Sequence, residues 1–139
     1  MTLSIRNQLP GTVTEVHPGE VMATVKIRLD GGQELMAAIT LEAVKQLGLA
    51  PDSRVLSLVK STEISLATGR FEGLSIRNQL PGAIVQIALG GAVASVKVSV
   101  PGGELTAVIT KDAVEDLGLF VGSDVIALIK ATEVALASV

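Results

Sequence analysis

LSIRNQLPG runs from Leu3 to Gly11 and returns unchanged from Leu74 to Gly82. The copying continues outward from this nonapeptide. AAIT at 37–40 is answered by AVIT at 107–110, AVKQLGL at 43–49 by AVEDLGL at 113–119, and LVKSTEISLA at 58–67 by LIKATEVALA at 128–137. One register with a single-residue gap near Gln33 aligns nearly the whole chain, and roughly half the aligned positions are identical. The period of about 70 residues is too long for a solenoid, whose repeats run at about 20–50. It is the length of a small domain. The chain therefore reads as a duplicated domain, 1–67 and 74–139, joined by the glycine-bounded linker 68–73. What one copy binds, the other is expected to bind.

Composition narrows the class. A unit this small buries only about 60% of its chain surface and usually needs a staple, yet there is no cysteine for a disulfide or a thiolate metal site. Hydrophobic residues make up 48% of the chain and the mean hydropathy is +0.56. So much apolar surface on so small a core points to burial between copies and between chains, hence an oligomer. No stretch reaches the roughly 18 apolar residues of a membrane-spanning helix. MTLSIRNQLPG lacks a basic segment followed by an apolar core, so no signal peptide is expected, and the missing cysteines fit the cytoplasm. The net charge of −3 and the presence of only two aromatics, Phe71 and Phe120, argue against nucleic acid, which needs a basic field or a stacking platform.

Within the first copy, Val21, Ala23, Val25, Ile27 and Leu29 alternate with polar or flexible residues. That period of two indicates a half-buried strand. Asp30-Gly31-Gly32 is a turn signal, and 34–39 completes a hairpin. The second copy repeats this with Ala94 to Val100, Pro101-Gly102-Gly103 and 104–109. The alignment gap falls at the hairpin tip, where an insertion costs least. Helices are expected at 41–47 and 111–117, with Thr40 and Thr110 as N-caps and Gly48 and Gly118 as C-caps. Strands follow at 54–60, 63–67, 124–130 and 133–137. The opening segments 4–9 and 11–16 read as two strands parted by a turn at Pro10-Gly11. The expected fold is all-β: two tandem OB-like Greek-key barrels, each with one short helix.

Catalysis finds little support. The single histidine, His17, stands opposite Ala88 in the second copy, and a duplicated enzyme would not lose its base from one half. His17 reads instead as a solvated loop residue. Glu15, Glu20 and Asp30 face Gln86, Gly91 and Pro101, so no duplicated carboxylate cluster offers a cation site, and no phosphate-loop motif occurs. The polar residues that survive duplication are a different set: Ser4/Ser75, Arg6/Arg77, Asn7/Asn78, Gln8/Gln79, Thr40/Thr110, Lys60/Lys130, Thr62/Thr132 and Glu63/Glu133. Most are donors. Ser4 and Arg6 are two apart on one strand face, Lys60 ends an apolar strand, and Thr40 opens a helix whose N–H groups suit an anion. Hydroxyls, a guanidinium and an ammonium together suit a small unprotonated dianion, which only accepts hydrogen bonds. The same residues admit a structural account, with Arg6 paired to Glu63 and Thr40 serving only as a cap. Asn7-Gln8 and Pro10-Gly11 read as turn and backbone-capping groups rather than ligands.

S-I-R-N-Q-L-P-G followed by a hairpin, A-x-I-T, a short helix ending L-G-L and V-K-[SA]-T-E (I-K in the second copy) resembles the Mop domain of molybdate-binding proteins, and the tandem form is similar to the di-Mop molbindins. The resemblance covers nearly all of the chain. It implies an OB-like barrel that binds molybdate or tungstate without catalysis, with no organic cofactor and no resident metal cation. It places the anion at domain interfaces. Carried over residue by residue, it implies contacts from Ser4, Arg6, Thr40, Lys60 and Ser61, and from Ser75, Arg77, Thr110, Lys130 and Ala131. Two departures matter. Ala131 lacks the hydroxyl of Ser61 but keeps its backbone N–H, so the second site should be altered rather than lost. Ala43 and Ala113 stand where some members carry a hydroxyl. The resemblance also implies a homotrimer in the cytoplasm with further anion sites on its axis, and a role in molybdate storage and homeostasis. The alternative is a molybdate-sensing regulatory module that acts through a protein partner.

Overall fold

The structure is a computed structural model and describes residues 2–139. Ten strands and two short helices follow the doubled sequence. The first copy supplies β1 (Asn7–Pro18), β2 (Met22–Leu29), β3 (Glu34–Thr40), α1 (Leu41–Leu47), β4 (Arg54–Val59) and β5 (Ile64–Ala67). The second supplies β6 (Asn78–Leu89), β7 (Val93–Val100), β8 (Gly103–Thr110), α2 (Lys111–Asp116), β9 (Asp124–Ile129) and β10 (Ala135–Ser138). The period-two pattern does what it should. Ala23, Val25, Ile27 and Leu29 point inward along β2, as do Ala94, Val96, Val98 and Val100 along β7. The fold is all-β, with two curled OB-like sheets and one helix in each copy. Among the described residues no helix is long and apolar enough to cross a membrane.

The last strand of each copy does not stay with its own sheet. One sheet has the order β10-β4-β1-β2-β3 and the other β5-β9-β6-β7-β8. β5 pairs antiparallel with β9 (Ile64 opposite Ile129), and β10 with β4 (Ala135 opposite Leu58). Each sheet thus takes four strands from one copy and one from the other, across the division at 68–73. One continuous cluster of buried side chains, from Leu9 and Val13 through Leu80 and Ile84 to Val134, spans both halves. Each fully buried Val, Leu or Ile contributes about 1.5–3 kcal/mol. A core shared in this way answers the size problem that each unit of about 65 residues would face alone.

Two expectations need correction. First, the chain does not turn at Pro10-Gly11; β1 and β6 run straight through. The ladder between β1 and β2 ends at Gly11 opposite Leu29. The Pro10 carbonyl accepts from the Asp30 N–H at 3.0 Å on that side. The N–H that proline lacks would face the same side, where the ladder has stopped, so nothing is lost. Gly11 is required by close approach: a Cβ there would lie 2.7 Å from the Arg28 carbonyl oxygen, and at Gly82 2.4 Å from that of Ser99. Second, the strand expected at 4–9 begins only at Asn7, so Ser4 and Arg6 precede it and do not share a strand face. At the hairpin tip that carries the extra residue, Gln33 Nε2 donates to the Pro101 carbonyl at 2.9 Å, so the inserted residue joins the two tips. The helices begin where expected. Thr40 and Thr110 each accept at Oγ1 from the N–H three residues on, at 3.1 Å. Gly48 closes α1 at φ +63, while α2 ends at Asp116 with Leu117 as its cap residue.

Candidate functional site

The repeated nonapeptide enters the sheet at Asn7, which pairs with Val59 of β4. The next residues outward, Arg6 and Lys60, therefore leave the sheet at the same end of the β1–β4 pair. Before β1 the chain is irregular and held by its own side chains. Arg6 Nε donates to the Ser4 carbonyl at 3.3 Å and an η-nitrogen donates to the Leu3 carbonyl. Gln8 Nε2 donates to the Ile5 carbonyl at 3.1 Å, a backbone-capping role. The second copy repeats the pattern, with Arg77 on Ser75 and Leu74 and Gln79 on Ile76. A guanidinium has five N–H donors in a fixed plane. Two are spent on orienting it, and Arg6 itself is exposed.

Lys60 and Lys130 each end a strand and open a one-turn helix, Ser61–Glu63 and Ala131–Glu133, whose last residue donates back to the lysine carbonyl at 2.9 Å. Ser61 Oγ is buried and has no hydrogen-bond partner. Ala131 has no such atom. Lys60 lines a depression of about 210 Å³ with Ile5 and Leu58 of its own copy and Thr132 and Glu133 of the other.

Thr40 lies elsewhere. It lines a separate depression of about 470 Å³ with Val21, Leu41, Lys45, Glu20 and Glu42. Its oxygen caps α1, which leaves the hydroxyl proton free to donate. The helix start offers an anion less than the sequence suggested. The Leu41 N–H already donates to the Val21 carbonyl at 2.8 Å, and the Ala43 N–H to Thr40. Lys111 and Ala113 are engaged in the same way. In one chain, then, Ser4, Arg6, Lys60 and Ser61 gather at one end of the β1–β4 pair, and Thr40 stands apart from them at the end of β3.

Among the described residues, two of the lysines and arginines are ion-paired, Arg54 with Asp30 at 2.7 Å and Lys26 with Glu15 at 3.4 Å, and His17 Nε2 lies 2.8 Å from a Glu15 carboxylate oxygen. Lys26 and, secondarily, His17 hold the Glu15 carboxyl below its usual range, and Arg54 does the same to Asp30. Arg6, Lys60, Arg77 and Lys130 pair with no carboxylate, so the expected Arg6–Glu63 alternative is not formed. His17 sits at the end of β1 rather than in a loop. Among the described residues no cluster of His, Asp and Glu fits a metal cation.

Asn7 and Asn78 are the residues that sequence reading undervalued. Asn7 is 2% exposed. Its Nδ2 donates to the carbonyls of Val59 at 3.0 Å and Thr106 at 2.9 Å, and its Oδ1 accepts from the Thr106 N–H at 2.7 Å. Asn78 makes the matching pair of bonds to Met36, at 2.7 and 2.8 Å. Each asparagine thus acts as a short piece of β-ladder between the copies. The signal was present in the sequence. Asn7, Leu9, Gly11 and Val13 alternate on the inward face, and a polar residue on such a face must find partners.

Comparison with known proteins places this geometry. The TOBE domain model matches residues 3–66 and again 74–136. The molybdenum-pterin-binding protein MopB of Rhodobacter capsulatus is 40% identical over 96% of this chain, and the molybdenum transport protein ModE of Herbaspirillum seropedicae is 36% identical over 99%. The chain spans about half the length of these two relatives, 50% and 52%. The crystal structure of the cytoplasmic molybdate-binding protein ModG, with molybdate bound, superposes with a TM-score of 0.97 at 39% identity over the full length of both chains. These relatives carry the names of binding and transport proteins. The chain belongs to the TOBE domain family, as a tandem pair of Mop-like domains.

Proposed function

We propose that this chain binds molybdate as an intact oxyanion, for storage and homeostasis in the cytoplasm, with no chemistry performed on it. The observation that carries the reading is the set of four cations, Arg6, Lys60, Arg77 and Lys130, that the duplication keeps and that no carboxylate neutralises. Ser4, Thr40, Ser61, Ser75 and Thr110 add hydroxyl donors, and Ala131 offers its backbone N–H. Ser61 Oγ, buried without an acceptor, suits a ligand that only accepts hydrogen bonds. The molybdate-bound ModG structure and its near-superposition support the same assignment. Tungstate, a tetrahedral dianion of like charge, fits the same donors.

The separation of Thr40 from the Arg6–Lys60 group supports sites that are completed between chains. In this reading the threonine of one chain meets the arginine and lysine of another in a homo-oligomer, a trimer by the family resemblance. Calorimetric titration tests the function. Saturable molybdate binding with more than one anion per chain is expected, reduced stepwise by Arg6→Ala and Arg77→Ala. Absence of binding at micromolar molybdate overturns the reading. Sulfate carries the same charge in a smaller shell, so discrimination must come from donor spacing rather than electrostatics. A second reading, a sensing module that acts through a protein partner, draws on the fact that ModE relatives are about twice as long as their match to this chain. Capture of a partner only in the presence, or only in the absence, of molybdate would favour it.

A further inference from the structure

We infer that Asn7 is a positioning residue of the first anion site, setting the spacing of Arg6 and Lys60 and thereby the choice between molybdate and smaller oxyanions. The inference rests on the function proposed above. Asn7 is the residue after Arg6, and its Nδ2 holds the carbonyl of Val59, the residue before Lys60, at 3.0 Å. One amide therefore ties together the two backbone points from which the two cations leave the sheet. The same side chain is locked to both backbone polar groups of Thr106 in the other copy, at 2.7 and 2.9 Å. The Arg6–Lys60 pair is thus fixed to a third strand, β8, which also runs against the Ser61–Glu63 turn. Asn78 makes the matching pair of bonds to Met36 on β3, which packs on the Ala131–Glu133 turn.

A buried amide is a costly way to join two strands that apolar side chains would join as well. Its bonds must all be made, since a buried polar group left without a partner is destabilising. What it supplies is definition. An apolar contact tolerates sliding, whereas two donor bonds and one acceptor bond admit a single register. Two cations on flexible stems would collapse onto whatever anion arrives. Held at a fixed separation, they favour the anion whose oxygens span it. Removal of a group that orients a ligating residue typically costs roughly ten- to a hundredfold in affinity. Here the loss should fall on the larger anion, because loosened cations can close around the smaller one.

The test is titration of the full-length protein with molybdate and, separately, with sulfate, for wild type, Asn7→Ala and Val13→Ala. Val13 is a fully buried residue of the same strand and serves as a control for lost stability alone. The expected result is a molybdate affinity about tenfold or more weaker in Asn7→Ala, with the molybdate-to-sulfate ratio lowered by a similar factor. Val13→Ala should unfold at lower temperature and keep the ratio. If Asn7→Ala does not fold, Asn7→Ser, a shorter polar side chain that does not reproduce the amide's paired bonds to Val59 and Thr106, carries the same measurement. An unchanged ratio in a folded asparagine variant overturns this inference alone, and so does an equal change in Val13→Ala. A wild-type protein that binds no molybdate overturns the proposed function, and this inference with it.

Discussion

The two copies agree where the fold is joined and where anions are expected, and differ almost everywhere that charge merely decorates the surface. Both keep the asparagine clamp, the capping threonine, the arginine turned onto its own carbonyls and the lysine ahead of a one-turn helix. The first copy alone has the Arg54 fork on Asp30, with Thr12 as a third partner. Asp124, Pro101 and Ala83 stand in those places in the second. Glu15 and His17 become Gln86 and Ala88. Exposed ion pairs contribute roughly 0–1 kcal/mol, so they drift after duplication, whereas buried hydrogen bonds and shared core positions cannot. The comparison also isolates two buried hydroxyls without partners, both in the first copy. Ser57 is fully buried with its Oγ unpartnered, and Ala127 replaces it; Ser61, proposed as a molybdate contact, also has an unpartnered Oγ, and Ala131 replaces it.

The comparison can be broken most forcibly in the core. Leu35→Ala and Leu105→Ala remove equivalent, fully buried side chains, and each should cost about 2–5 kcal/mol in denaturant unfolding. Because the core and the exchanged strands are shared, each variant should still unfold in one transition; two separate transitions would show the copies to be independent. Next come the close approaches. Gly11→Ala and Gly82→Ala should each cost about 1–3 kcal/mol. Gly82 should be the worse, because its new Cβ would lie 2.4 Å rather than 2.7 Å from a backbone oxygen. At the helix caps, Thr40→Ala and Thr110→Ala should each lose about 1 kcal/mol and by equal amounts, since both caps are 3.1 Å bonds.

Subtler differences sharpen the contrast. Ser57→Ala should raise stability by about 1 kcal/mol, because it removes a buried hydroxyl that has no partner. Ala127→Ser should lower it similarly. The smallest effect belongs to Asp30. Arg54 holds its carboxyl below the usual range, so the pair's contribution is present above about pH 4, the ordinary carboxylate value, and is lost as pH falls through the lowered one. Asp30→Asn should therefore melt slightly below wild type at pH 7 and level with it in acid. The second copy has no counterpart to this titration.

Much of the fold could be read from local chemistry. The period of two placed β2 and β7, the glycine turns after them placed β3 and β8, and Thr40 with Gly48 bracketed α1 at Leu41–Leu47. Strand exchange could not be read. The two copies carry the same local signals, so nothing in 64–67 or 135–138 says whose sheet they join. The turn assigned to Pro10-Gly11 failed because a proline is harmless where a neighbouring ladder ends, and that end lies at Leu29, far away in sequence. Of the site, residue types could be read but convergence could not. Arg6 and Lys60 leave the sheet at the same end through the register of β1 with β4. Thr40 stands apart, a separation that no spacing in the sequence encodes.

The central claim is that donors split within one chain come together between chains to hold molybdate. Native mass spectrometry of the purified protein, with molybdenum counted per chain, addresses it most directly. The expected result is a homo-oligomer that retains more than one molybdate per chain and loses the anion when it dissociates. A monomer that keeps its full complement of molybdate, or an oligomer that takes up none, would contradict it.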